Sequence, residues 1–107
     1  MGMTDLLRQA QQMQSKMAEM QEELAKKTVT GSSGGGMVRI VCTGKMEVLS
    51  VSIEPGALIS AGQVSAEDVE MLQDLVAAAA NDALRQAREL LENEMKAITG
   101  GIKLPFM

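Results

Sequence analysis

Apolar residues recur at alternating spacings of three and four along the first quarter of the chain. The residues at these positions are Met3, Leu6, Ala10, Met13, Met17, Met20 and Leu24. This spacing places them on one narrow stripe of a helix, at the a and d positions of successive heptads. The pattern therefore predicts a long helix over residues 4–27 that packs against one partner helix.

The next segment, residues 28–54, shows the two-residue alternation that is typical of β-strands. A β-branched run, Thr28–Thr30, precedes a glycine-rich stretch at 31–36, and a second strand pattern follows from Val38. A glycine run that follows a strand and opens a helix can hold phosphate. Because this run opens onto a strand instead, it is interpreted as the flexible tip of a β-hairpin.

A third strand is the clearest of the three. Leu49, Val51 and Ile53 alternate with polar residues, so one face of this strand is apolar and the other is polar. Pro55 and Gly56 end the pattern. The sheet is therefore expected to be antiparallel and to cover an apolar partner on one side only.

Residues 65–99 carry a second helical pattern, which no Gly or Pro interrupts before position 100. Ser65 can cap its start, because its hydroxyl accepts a hydrogen bond from a free amide of the first turn. Asn81 and Asp82 interrupt a small, apolar stretch and are interpreted as a polar contact to the sheet or to a partner subunit. The two glycines at 100–101 predict that residues 100–107 form a flexible tail.

The length of the second helix indicates an oligomer. At 1.5 Å per residue it would span ~50 Å, whereas a compact chain of this size has a radius of gyration of only ~13 Å. Its distal apolar residues are therefore expected to need a second chain, and a homodimer is the simplest solution. The alternatives are a helix that reaches another protein or one that bends back. The predicted dimer-interface residues are Leu49, Val51, Ile53, Leu90, Leu91 and Met95.

The residue composition argues against catalysis. The chain has no His, Trp or Tyr, a single Phe and ten Met. Without an imidazole there is no His-based triad and no His metal ligand, and Gly44-Lys45 lacks the other residues of a phosphate-binding loop. Cys42 lies in a strand pattern and is interpreted as a buried, unreactive thiol. We therefore predict that the protein is not an enzyme, with no catalytic residue, cofactor, metal or small-molecule substrate.

The charge and hydropathy of the chain restrict its partners. Its longest apolar run, Leu75–Ala80, is far shorter than the ~18 residues of a membrane span, and no secretory signal opens the sequence. A cytoplasmic protein without a membrane partner is expected. The net charge of −4 argues against coating of nucleic acid by bulk attraction. Any nucleic-acid binding must therefore depend on local basic patches.

Two sets of basic residues are candidates for such patches. Lys26 and Lys27 lie where the first helix meets the hairpin. Arg85, Arg88 and Lys96 fall close to one face of the long helix, although Glu92 shares that face. A symmetric dimer would double each patch and hold the copies at a fixed distance, which suits phosphate contacts without base readout.

Several segments, in their order along the chain, resemble the YbaB/EbfC family of bacterial nucleoid-associated proteins. These segments are Gln9–Gln14, Met20–Leu24, Val29–Val38, Ile53–Pro55, Leu72–Ala79, Asn81–Ala83 and the tail 100–106. The resemblance implies one domain over residues 1–107, an α+β homodimer with the element order α-β-β-β-α. Its two long helices flank a three-stranded antiparallel sheet, in an intertwined or tweezer-like arrangement.

The resemblance also implies a function. Family members bind double-stranded DNA through their projecting helices and alter its conformation and the organisation of the nucleoid, with possible effects on gene expression. The DNA-binding residues expected here are Arg8, Lys16, Lys26, Lys27, Arg85, Arg88 and Lys96. The alternative is a non-catalytic adaptor or assembly factor that offers Met-rich helix surfaces to a protein. Phosphate-driven binding weakens steeply with salt, whereas apolar docking does not, so salt dependence distinguishes the two.

Overall fold

The computed structural model describes residues 2–57 and 64–99 and confirms the α+β class and the element order α-β-β-β-α. The elements are α1 (Met3–Lys26), β1 (Thr28–Ser33), β2 (Val38–Thr43), β3 (Val48–Ile53) and α2 (Ala66–Thr99). The strands form one antiparallel sheet in the order β1-β2-β3. The predicted tail at 100–107 lies outside the described residues.

The core lies between α2 and one face of the sheet. Val38, Ile40 and Cys42 of β2 are almost completely buried against Ala79 and its neighbours along α2. Since the helix presents alanines at this face, its backbone approaches the sheet closely. The Cys42 thiol donates a hydrogen bond to the backbone oxygen of Ala83 over 3.6 Å, and burial raises its pKa. The prediction of a buried thiol is thus confirmed.

Gly31 is the residue that permits the closest approach. It lies inside β1, three positions before the 3₁₀ turn Gly34–Gly36 that joins β1 to β2, so the hairpin tip is shorter than the predicted stretch 31–36. A Cβ built on Gly31 would overlap the backbone of Ala79 and would lie 2.8 Å from the Cα of Ala83. This glycine is therefore required by packing, whereas the glycines of the tip have positive φ and are required by the turn.

Helix α1 packs along the distal half of α2 through only part of its apolar stripe. Met20 and Leu24 are buried, Met13 and Met17 are half-buried, and Met3 is 77% exposed. The molecule is accordingly elongated, with a radius of gyration of 20.5 Å and a longest extent of 74 Å. The N-terminal half of α1 thus forms a projecting arm. Three residues predicted at a dimer interface are half-buried within one chain, namely Leu90, Leu91 and Met95.

Strand β3 departs from the predicted strict alternation. The register shifts beside Val41, so that Val48, rather than Leu49, lies opposite Cys42, while Val51 remains opposite Ile40. A β-bulge of this kind adds one residue to a strand and re-aims the side chains beside it. No alternation rule reveals where a bulge falls, and this explains why the sequence assigned Leu49 to the apolar face.

The start of α2 has the predicted cap. The backbone N–H of Asp68 donates to the Ser65 hydroxyl over 3.1 Å, and the backbone N–H of Ser65 donates to the Asp68 carboxylate over 3.0 Å. This reciprocal arrangement satisfies amides that the helix itself leaves unpaired. Within the described ranges, neither helix is long and apolar enough to cross a membrane.

Candidate nucleic-acid interface

The projecting arm of α1 includes a stretch without carboxylates. From Leu6 to Ala18 the helix has two basic residues, Arg8 and Lys16, together with four glutamines and no Asp or Glu. Both basic side chains are exposed, and eight residues of helix place them about 12 Å apart along its axis. We refer to Leu6–Ala18 as the acid-free segment. It has two positive charges and no negative one, on a chain whose net charge is negative, and Asp5 and Glu19 border it.

The opposite end of α1 holds its basic residues among carboxylates. The Lys27 ammonium forms an ion pair with Glu94 of α2 and lies 3.7 Å from a carboxylate oxygen of Glu23. The hydrogen bond to Glu94 is the main cause that raises the pKa of Lys27 above its usual value. Lys26 is exposed and borders a groove that Glu19 and Glu23 also line. The two lysines that the sequence grouped together therefore have different surroundings, and Lys27 helps to join α1 to α2.

The face of α2 that is predicted to bind DNA has both basic and acidic residues. Arg85, Arg88 and Lys96 are exposed on the side of the helix away from the buried alanines. Glu89 and Glu92 fall on the same side by helical spacing. The structure thus places the three basic residues on one surface, as the sequence indicated, but their charges are largely balanced there.

Arg85 has a local partner as well. Its guanidinium pairs with the Asp82 carboxylate, which also accepts a hydrogen bond from the backbone N–H of Ser32 over 3.0 Å. Gln86 donates to the backbone oxygen of Thr30 over 2.8 Å and to Asp82 over 3.3 Å. These side chains satisfy outward-facing backbone groups of β1, which is an edge strand. The prediction of a polar contact from Asp82 to the sheet is confirmed, while nothing in the sequence singled out Gln86.

Stability should depend on the ionisation of Asp82. The hydrogen bond from the Ser32 amide is the main cause that lowers the pKa of Asp82 below its usual 3.8. A lowered carboxyl pKa stabilises the fold above the usual value, and this stabilisation disappears as the pH falls through the lowered pKa. We expect Asp82→Asn to reduce the melting temperature by a constant amount near neutral pH and by progressively less below about pH 4.

Thermal melts of the wild type and Asp82→Asn between neutral and acidic pH would measure this difference. Asp74→Asn is the matched control, because Asp74 is an exposed carboxylate of the same helix. A difference between wild type and Asp82→Asn that stays constant into strong acid would contradict the assigned role of the charge.

The comparisons with known proteins decide the family. The sequence profile of the YbaB/EbfC DNA-binding family matches residues 1–102. This chain belongs to that family. It is 48% identical over 104 residues to the nucleoid-associated protein TTE0040 of Caldanaerobacter subterraneus subsp. tengcongensis, covering 97% of this chain and 88% of the relative. It is also 48% identical over 105 residues to the nucleoid-associated protein DP1429 of Desulfotalea psychrophila, covering 98% and 93%.

The fold of this chain is also found among solved structures. The crystal structure of the uncharacterized protein HP0035 from Helicobacter pylori matches 92% of this chain and 97% of its own, with a TM-score of 0.76. The sequences are 24% identical, so this likeness concerns the fold alone. Within residues 2–57 and 64–99 of the present chain, no group of three or more His, Cys, Asp or Glu residues is placed to hold a metal ion.

Proposed function

We propose that this protein acts at the bacterial nucleoid as a homodimer that contacts the backbone of double-stranded DNA and alters its conformation, with effects on gene expression. The family assignment and the names of the relatives support a DNA partner. The observation that carries the proposal is the exposed, acid-free segment on the projecting arm. An elongated chain of net charge −4 can approach phosphates through such a segment, which Asp5 and Glu19 border at its two ends.

The basic residues are proposed to contribute unequally to DNA binding. Arg8 and Lys16 carry the largest share, because no carboxylate lies between them and each has only one acidic residue a helical turn away, Asp5 and Glu19 respectively. Lys26, Arg88 and Lys96 contribute less beside neighbouring glutamates, and the ion-paired Lys27 and Arg85 contribute least. All of these contacts go to phosphates, which position a protein on DNA without reading its sequence. In a dimer, two arms at a fixed separation favour those DNA shapes that reach both arms.

The proposed dimer joins the β3 strands of two chains. Asp82 and Gln86 cover the free edge of β1, whereas no described residue donates to or accepts from the outer edge of β3. Val48 and Val51, on the side of β3 that faces α2, are 56% and 51% exposed. An open, apolar edge strand pairs readily with another strand. Under a twofold axis, the free backbone groups of β3 in each copy would pair with those of β3 in the other. Together with Leu49, Ile53 and the distal residues of α2, these side chains form the proposed interface.

A protein partner remains the second candidate function, on one specific observation. Leu6 and Leu7 are exposed on the projecting arm, and a groove of about 570 Å³ runs beside Leu6, Ala10, Met13 and Ile98. A partner helix with an apolar stripe would fit this surface. Apolar docking and phosphate binding respond differently to salt, so the same titration separates the two functions.

We expect the protein to bind a labelled duplex of ~30 base pairs in fluorescence anisotropy titrations, with an affinity that falls steeply between ~50 and ~200 mM salt. Arg8→Gln combined with Lys16→Gln should reduce the slope of log affinity against log salt by about 2 per chain, since each lost phosphate contact removes about 1.

Lys26→Gln combined with Arg88→Gln is the matched control. It removes the same charge from one α1 and one α2 position that have glutamate neighbours, and it should change the slope less. No duplex binding at ~50 mM salt would refute the DNA-binding function. Equal effects of the two double variants would refute the leading role of the acid-free segment.

A further inference from the structure

The face of the sheet turned away from α2 has an unusual set of side chains. Because Val38, Ile40 and Cys42 face α2, the alternate positions of β2 and their cross-strand neighbours lie on the opposite face. We call this the outer face. Its exposed side chains are Thr28, Thr30, Ser32, Arg39, Ser50 and Ser52. The face thus combines five exposed hydroxyl groups with one guanidinium, and the half-buried Val41 lies between them.

Arg39 lies at the centre of a row that crosses the sheet. It is directly opposite Ser32 in β1 and Ser52 in β3, and neighbouring strands are about 4.8 Å apart. The guanidinium lies against Gly36, where an added Cβ would come within 3.1 Å of one of its terminal nitrogens. Because Gly36 has no side chain, there is space beside it for the guanidinium of Arg39. Within the described part of the chain, Arg39 forms no ion pair.

The strands are free of negative charge. None of the residues in β1, β2 or β3 is Asp or Glu, although the whole chain has 14 acidic residues. The nearest carboxylates in sequence, Glu47 and Glu54, flank β3 at its ends. An anion can thus approach the middle of the outer face without passing a strand carboxylate, while the Asp82 carboxylate of α2 lies at the β1 edge, where it accepts a hydrogen bond from the Ser32 amide. Guanidinium and hydroxyl groups are the donors that bind phosphate oxygens on DNA.

We propose that the outer face, centred on the row Ser32–Arg39–Ser52, is a second DNA-contacting surface that binds phosphates of a duplex backbone. This inference rests on the proposed function, because that function supplies the duplex. The surface lies on the sheet and is separate from the helix residues assigned above. A protein that holds a duplex both at the arms and at the sheet constrains its path at more than one point, which gives a physical route to altered DNA conformation.

The test compares two outer-face variants with a matched control in the duplex titration. Arg39→Gln removes the positive charge, and Ser52→Asp introduces a negative one. Ser65→Asp makes the same substitution at the α2 cap, where Asp also serves as a capping residue. We expect each outer-face variant to weaken binding about threefold to tenfold at ~50 mM salt, and Arg39→Gln to lower the salt slope by about 1 per chain. Ser65→Asp should bind like the wild type.

Circular dichroism and elution volume establish that each variant is folded and has the wild-type oligomeric state. If Ser52→Asp changes that state, the comparison of Arg39→Gln with the wild type tests the proposal, because Arg39→Gln leaves β3 intact. If the wild type binds with a steep salt slope and Arg39→Gln matches Ser65→Asp, the outer face does not contact DNA while the proposed function stands. If the wild type does not bind the duplex, both proposals fail. A loss of heparin binding without a loss of duplex binding would assign the face to another polyanion and overturn the inference.

Discussion

We expect Gly31→Ala to destabilise the protein by more than about 3 kcal/mol, the upper end of the usual cost of overpacking a core. The added Cβ would overlap the backbone of Ala79 and Ala83, and backbone of a packed helix cannot move aside as a flexible side chain can. The α2 helix would have to separate from β1, which would also break the contacts of Asp82 and Gln86 with that strand. For a domain of this size the melting temperature should fall by more than about 10 °C.

Thermal and urea denaturation would measure this effect, and Gly56→Ala is the matched control. No heavy atom lies within 4 Å of a Cβ at Gly56, and the same substitution at an open, compatible position normally changes stability by less than about 1 kcal/mol, often favourably. A Gly31→Ala variant that melts within a few degrees of Gly56→Ala would show that α2 does not pack this closely on β1.

The helices and strands with regular apolar spacing could be predicted from the sequence, because that spacing reflects which side chains an element buries. The alternation in β2 separates a buried face from a more exposed one, and the apolar stripe of α1 is buried where it meets the rest of the chain, at Met20 and Leu24. Gly31 could not be assigned in this way. It stands among other glycines, and only the position of α2 across β1 distinguishes a glycine required for close packing from those that form the turn.

The partners of charged residues were the least predictable part of the candidate interface. Sequence spacing correctly placed Arg85 and Arg88 on the exposed side of α2. It could not show that Lys27 pairs with Glu94, because these residues are 67 positions apart and meet only when α1 folds back along α2. The sequence pattern did not distinguish Arg39 from the other basic residues for a similar reason, since its position between Ser32 and Ser52 depends on strand register.

Val51→Asp should convert the proposed dimer into a folded monomer. Val51 is 51% exposed in the single chain, so a carboxylate there can remain hydrated in the monomer. In a dimer paired through β3, the same carboxylate would be buried in an apolar interface near its symmetry mate, which is strongly unfavourable. Light scattering coupled to size exclusion should therefore give one chain mass, 11.4 kDa, for the variant and twice that mass for the wild type.

The duplex affinity should fall with the dimer, because two linked arms bind as a bivalent unit and two separate arms do not. Linkage of this kind strengthens binding by about 10²–10⁴-fold when both sites can be reached. Val64→Asp is the matched control, since Val64 is 53% exposed and precedes the α2 cap, outside the sheet. A monomeric wild type, or a Val51→Asp variant that remains dimeric, would exclude pairing through β3. If the variant remains dimeric, the two arms must be held together by the distal half of α2 instead.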